Sequence, residues 1–259
     1  MGPILSDSQL LPGPVSRARR NFPRGLFQPP GSYRFGLDAL LLAAFASRFV
    51  KNPACVAELG CGCGASLLAL ALLRPGISGL GFERETELVA AAICNGALLG
   101  LDGQIGFRAM DIETLDSTCF NKFNIVIANP PWSKGRPPAS RLRRSALAMQ
   151  ADTLDLFCNR ASRLLQNRGR FCIILPPGQL CELAGAIVSL RLGLRQILPI
   201  ASFSGQSAKR ALCLLQKNAA SDPVILPALT LLERTASGIK WTEAARNFCP
   251  WTGSNDICS

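Results

Sequence analysis

The residue types best suited to chemistry lie in two stretches, ELGCGCGAS from Glu58 to Ser66 and IVIANPPW from Ile125 to Trp132. In the first, Gly60, Gly62 and Gly64 alternate, which lets the backbone turn tightly and approach a bulky ligand that any Cβ would obstruct. The same letters permit a second reading. Gly60, Gly62 and Ala65 also fit G-x-G-x-x-G/A, where a helix amino terminus faces the pyrophosphate of a dinucleotide. Glu58 tilts the choice. A carboxylate two residues before the first glycine would oppose an anionic pyrophosphate but could pair with a cation, and a sulfonium cofactor with an α-amino group meets that condition.

The second stretch ends an apolar, β-branched run on an amide, two prolines and an indole. Asn129 supplies an amide acceptor, and Pro130 a carbonyl that Pro131, lacking an N–H, cannot recruit into a local turn. Two acceptors held by a stiff double proline can face one planar NH2 group, and the Trp132 indole offers a surface on which a base can stack. The geometry this implies is a rigid clamp that aims an exocyclic amine at an electrophile. Two further acids stand at strand ends. Glu83 lies about 20 residues beyond the glycine turn, where a carboxylate commonly binds ribose hydroxyls. Asp111, in RAMDI, stands where an acid could accept from an adenine amine or, equally well, cap the next turn.

The elements that must position these residues alternate. CVAELG, ASLLALALLR, GLGFE, ETELVAAAICNGALLG, IGFRAMD and FNIVIAN read as strand and helix in turn, followed by LDLFCNRASRLLQN, RFCIILP, LCELAGAIVSLRL, LRQILPI and RALCLLQ. The expected fold is α/β: a Rossmann-like, seven-stranded, mostly parallel sheet with an antiparallel edge hairpin and helices on both faces, its ligands at the carboxyl ends of the strands. Residues 1–32 read as a loose, basic amino-terminal arm, 33–234 as the folded domain and 235–259 as a carboxyl-terminal tail, with PVILPALTLLER a further extended candidate.

Composition excludes several chemistries. The 259 residues contain no histidine, which removes Ser-His-Asp and Cys-His mechanisms and histidine-ligated metal sites. The 11 cysteines form no CxxC pair and several sit in apolar runs, so they read as reduced, mostly buried thiols of a cytoplasmic protein without a metal. No secretory signal or membrane-length apolar stretch is visible. The formal net charge of +11 points to a polyanionic partner such as nucleic acid. That charge is clustered, in RARRNFPR and in KGRPPASRLRR directly after the clamp.

The combination of ELGCGCG with NPPW resembles the class I S-adenosylmethionine-dependent methyltransferases that modify exocyclic or amide nitrogens. The leading segment GSYRFGLDALLLAAF is similar to that of the bacterial tRNA1(Val) adenine-37 amino-methyltransferases. The resemblance covers roughly residues 33–217. It implies that Glu58, Gly60, Gly62 and Gly64 hold the methionine part of S-adenosylmethionine, Glu83 its ribose and Asp111 its adenine, while Asp38 helps close the pocket. It implies that Asn129, also at the cofactor's edge, and Pro130 accept from the target amine. Two departures stand out: Trp132 replaces the usual tyrosine or phenylalanine, and ALAMQADTLDLF replaces a His-Glu pair.

The expected reaction is methyl transfer to an adenine amine in RNA, tRNA first. Alternatives are a ribosomal RNA guanine amine, a release-factor glutamine amide, or an RNA-binding module without turnover. Lys134, Arg136, Arg141, Arg143 and Arg144 are candidates to hold phosphates beside the extruded base, with Arg17, Arg19, Arg20 and Arg24 as a second contact set.

Overall fold

The computed structural model describes residues 13–132 and 153–253. The chain opens with α1 (Gly13–Asn21) and α2 (Leu37–Ser47), then alternates β1 (Ala54–Leu59), α3 (Ala65–Leu73), β2 (Ile77–Glu83), α4 (Thr86–Leu98), β3 (Ile105–Ala109) and β4 (Phe123–Ala128). There follow α5 (Thr153–Leu164), β5 (Leu165–Leu175), α6 (Leu180–Ile187), β6 (Leu192–Phe203), β7 (Arg210–Lys217), β8 (Val224–Ile225), β9 (Leu229–Thr235), β10 (Gly238–Trp241) and α7 (Glu243–Phe248).

The sheet runs β10-β9-β6-β7-β5-β4-β1-β2-β3, with β8 pairing β6 off this path. Strands β1 to β5 are mutually parallel. β7 enters between β5 and β6, antiparallel to both. The seven expected strands are therefore present, and the sheet continues beyond them. Strand β9 joins β6 in parallel and turns back into β10, so the β6–β7 hairpin lies inside the sheet and β10 forms its edge. This β9–β10 hairpin also carries regular structure across the domain boundary read at residue 234, because Thr235 pairs with Gly238.

Strand parity explains the near-continuous apolar runs. Ile125, Ile127, Cys172 and Ile174 pack into the core beneath α2 and α3, while their neighbours Val126, Ala128, Phe171 and Ile173 join the core beneath α5 and α6. Both faces are covered, as a parallel sheet requires. Helix α2 is apolar around its circumference because it is enclosed: Leu40, Leu42, Ala43 and Ala46 are fully buried. Among the described residues all ten cysteines are free, and seven are buried, where loss of solvent pushes thiols such as Cys158 and Cys213 up to about 12. No described helix is long and apolar enough to cross a membrane.

The expectation of a loose segment fails for residues 13–32. Helix α1 lies on α4, with Arg19 Nε donating to the Leu99 carbonyl (2.8 Å) and Val15 against Gly100. Phe22 and Leu26 are buried, and the Phe22 ring meets Trp251 edge-on at 5.0 Å. Composition alone misses this because the anchoring partners lie some 80 to 230 positions away along the chain.

Candidate active site

Register brings the two motifs together. Leu59 is the partner of both Phe82 and Ala128 in the parallel ladders, so the next residues, Gly60, Glu83 and Asn129, leave three adjacent strands at the same edge. With strands about 4.8 Å apart, these residues leave the sheet side by side at its carboxyl edge, where a crevice is expected in a sheet of this kind. Glu83 pairs with Ala109, which places Asp111 two residues beyond that edge on the outer strand.

The glycine turn has the backbone its sequence demands. Gly60, Gly62 and Gly64 adopt φ of 67°, 54° and 84°, a region costly for residues with a Cβ. Their surroundings differ. A Cβ on Gly62 would meet nothing within 4 Å, so this glycine faces open space of the kind a ligand can fill. A Cβ on Gly64 would lie 2.8 Å from Phe107 Cζ and 3.2 Å from Ala92 Cβ, so Gly64 serves internal packing rather than ligand approach. Gly60 is intermediate, with Phe157 of α5 3.5 Å from the corresponding position.

Glu58 is 2% exposed, beneath the turn rather than at the crevice surface. Its Oε2 accepts from Leu67 N at 3.1 Å and its carboxylate also bonds Ser66, so it caps α3 from the preceding strand, where Gly64 supplies no side-chain cap. Burial, reinforced by the nearby Glu83 charge, outweighs those bonds and pushes its carboxyl up to about 8. Glu83 accepts from Gly62 N (3.0 Å) through one oxygen and from Glu85 N (3.1 Å) through the other. Burial raises this carboxyl as well. Two acids kept above the usual carboxylate range beside an open glycine turn form an environment that a cationic ligand would relieve. The residues present thus fit S-adenosylmethionine.

Asp111 caps the short turn that follows, accepting from Glu113 N at 2.9 Å, which is the capping alternative read from its position. Asp38, expected near the pocket, pairs with Arg210 of β7 at 2.6 Å. At the clamp, Pro130 is buried and Asn129 half-buried, and among the described residues no hydrogen bond engages the Asn129 amide. The Trp132 indole N–H donates to the Ile174 carbonyl of β5 at 3.0 Å, tying the double-proline loop to the neighbouring strand.

The basic candidates divide. Lys134, Arg136, Arg141, Arg143 and Arg144 lie outside the described residues. Arg17, Arg20 and Arg24 are exposed. Arg19 is engaged structurally, bonding the Leu99 and Gly100 carbonyls at the end of α4, and is not a free contact for an anion.

No sequence motif marks Asn95. It is 1% exposed; its Oδ1 accepts from Phe27 N (2.7 Å), and its Nδ2 donates to the carbonyls of Phe27 and Cys63 (3.0 Å each). The signal in the sequence was an amide inside the apolar helix ELVAAAICNGALL, a buried polar group that needs partners.

Comparison with known proteins identifies the family and the fold. A family profile described as a methyltransferase domain matches residues 53–201, more than half of the chain. Among curated proteins, the chain is 30% identical to a tRNA1(Val) (adenine(37)-N6)-methyltransferase of Dickeya chrysanthemi, over 55% of this chain and 56% of that protein. It is 29% identical to the Porphyromonas gingivalis protein of the same name, over 69% of this chain and 72% of that one. A release factor glutamine methyltransferase of Rhodospirillum rubrum is 30% identical over 51% of this chain and 43% of its own length. The chain thus spans little more than half of the Dickeya relative and less of the Rhodospirillum one. A crystal structure from Agrobacterium tumefaciens, described as a predicted O-methyltransferase, superposes with a TM-score of 0.67 at 20% identity, covering 82% of this chain and 94% of that one, and so shares the fold. Taken with the glycine turn and the two acids that bond its backbone and that of α3, these matches place the chain in the class I S-adenosylmethionine-dependent methyltransferases.

Proposed function

We propose that the chain transfers a methyl group to the exocyclic amine of an adenine in RNA, with tRNA as the first substrate to test. The observation that carries this reading is the placement of Asn129-Pro130-Pro131-Trp132 directly beside the glycine turn, through the shared register of Leu59 and Ala128. The tRNA methyltransferase relatives support it, as does the +11 charge.

The bound cofactor supplies an electrophilic methyl on a sulfonium. The residues proposed to hold it are Gly60 and Gly62 around its methionine part, with Glu58 and Gly64 shaping the turn from beneath, Glu83 and Asp111 toward its nucleoside, and Asp38 and Asn129 at the margins. An adenine amine is a poor nucleophile because its lone pair is delocalised into the ring. The Asn129 side-chain oxygen and the Pro130 carbonyl, accepting its two protons, favour a pyramidal nitrogen and direct the lone pair outward. Trp132, anchored to Ile174, keeps these acceptors from shifting as the base enters. The methylated nitrogen is acidic enough to lose its proton afterwards, so no histidine base is needed. A base in a single-stranded loop is the least costly to extrude into such a clamp. The basic stretch Lys134 to Arg144 and the exposed Arg17, Arg20 and Arg24 are proposed to contact the flanking phosphates.

The glutamine methyltransferase match keeps a second acceptor in view, since a glutamine amide presents the same NH2 to the same acceptors. One experiment separates the acceptors. The purified chain is incubated with methyl-labelled cofactor and either total tRNA, ribosomal RNA or a release factor, and the products are hydrolysed and identified. Label in N6-methyladenosine is expected. Label confined to methylguanosine or to methylglutamine would overturn the adenine assignment.

A further inference from the structure

Residues 24–34, RGLFQPPGSYR, follow α1 and lead into α2. This segment is held rigidly and close to the site. Asn95 takes both the N–H and the carbonyl of Phe27, as a neighbouring strand would, and with the same amide holds the Cys63 carbonyl inside the glycine turn. One buried side chain therefore fixes Phe27 against the backbone that lines the crevice. Beyond Phe27 the chain doubles back, with Gln28 Oε1 accepting from Phe35 N at 3.1 Å and Ser32 bonding the Pro29 carbonyl. Leu26 and Ser32 are buried beneath it.

Two aromatic side chains of this segment are exposed. Phe27 is 55% exposed and Tyr33 61% exposed, and these are the exposed aromatic rings among the large apolar side chains described. Arg24 and Arg34 flank them and are exposed too, with Arg17 on the preceding helix. No acid lies between residues 13 and 37 of the sequence, so the segment itself contributes only positive charge. Exposed rings scattered singly need no explanation. Two rings interleaved with arginines on a preorganised strap beside a binding crevice match the surface that single-stranded nucleic acid recognises, where bases stack on aromatic faces and cations follow the phosphates.

We infer that residues 24–34 form a base-stacking strap, in which Phe27 and Tyr33 hold unpaired nucleotides next to the target base while Arg24 and Arg34 meet the intervening phosphates; this rests on the reading of RNA as substrate. Rigidity is what makes the strap effective. A backbone already held at Phe27 by Asn95, and at the return by Gln28 and Ser32, has less freedom to lose when a base arrives.

The test is fluorescence anisotropy of the full chain with a labelled single-stranded 12-nucleotide RNA across a salt series, using Phe27→Ala, Tyr33→Ala, Phe27→Trp and Arg34→Ala, with melting temperature and cofactor affinity measured in parallel. Phe27→Ala and Tyr33→Ala should each weaken RNA binding about 5- to 100-fold without changing the salt slope, melting temperature or cofactor affinity. Phe27→Trp should bind like the parent, whereas Arg34→Ala should lower the salt slope by about 0.7. If the parent binds RNA and both alanine variants bind within twofold of it, the strap is refuted and the RNA reading stands. If the parent binds no RNA at any salt, both fall together.

Discussion

The Glu83 carboxylate accepts the Gly62 N–H at 3.0 Å, joining the end of β2 to the turn after β1 across 21 residues of sequence. Its other oxygen receives Glu85 N and so shapes the start of α4. This acid thus builds the crevice in addition to whatever it offers a ribose. Glu83→Ala should lower both the melting temperature and the cofactor affinity, since the Gly62 and Glu85 amides each lose an acceptor, at roughly 1–3 kcal/mol apiece where water does not replace it. Glu83→Gln keeps an oxygen acceptor and should recover the melting temperature more than the cofactor affinity. Calorimetric titration beside thermal denaturation reads the two apart, and equal recovery of both would refute a dual role.

Glu58 makes stability depend on pH. Its carboxyl stands at about 8 in the fold against 4.5 ordinarily, because burial disfavours the charged form. Its neutral form therefore contributes stability in full below about pH 4.5, and that contribution is lost as the pH rises through about 8. Measured without cofactor, the difference in unfolding free energy between the parent and Glu58→Gln should shift against the parent between pH 5 and pH 8, on the order of a few kcal/mol. A pH-independent difference would count against a neutral buried acid. A cationic ligand favours the ionised carboxylate, so cofactor affinity of the parent should rise over the same interval.

The glycines of the turn should fail in different ways. At Gly64 an added methyl group meets Phe107 at 2.8 Å in a backbone with φ of 84°, so Gly64→Ala should destabilise the fold by roughly 1–3 kcal/mol. Gly62 has open space, so Gly62→Ala bears only the cost of its φ, about 1 kcal/mol. Its main effect should be weaker cofactor binding. Denaturant melts and cofactor titrations of the two variants check this contrast.

Asn129 should matter to the rate more than to binding. Removing one preorganised acceptor from a transition state typically costs about 10²–10³ in rate. Asn129→Ala should therefore lower kcat by roughly that factor, with a far smaller change in cofactor affinity. Single-turnover methyl transfer is the measurement. An unchanged rate would remove Asn129 from the clamp.

Much of this molecule is legible in its sequence. The 2-residue and 3.6-residue periods sort the chain into strands and helices, and a glycine turn or a double proline announces itself through backbone chemistry that depends on its immediate neighbours. Hence the parallel sheet and the place of NPPW at the end of a strand could be read directly. The extension through β9 and β10 was harder, because short, half-exposed strands carry little period.

What the linear order could not disclose is where a polar side chain spends its hydrogen bonds. Asp38 meets Arg210 across 172 residues, Arg19 reaches the end of α4 across 80, and Asn95 clasps Phe27 across 68. Glu58 was recognisable as an important acid, yet its burial under α3 followed only once β1 and α3 were packed. By itself the sequence determined the parallel part of the sheet, the glycine turn and the double proline that ends β4, because each is written in local steric rules. The tertiary structure decided which charges face the crevice and which are consumed in holding it together, because a charged or amide group takes its partner from whatever the packed fold brings within about 3 Å.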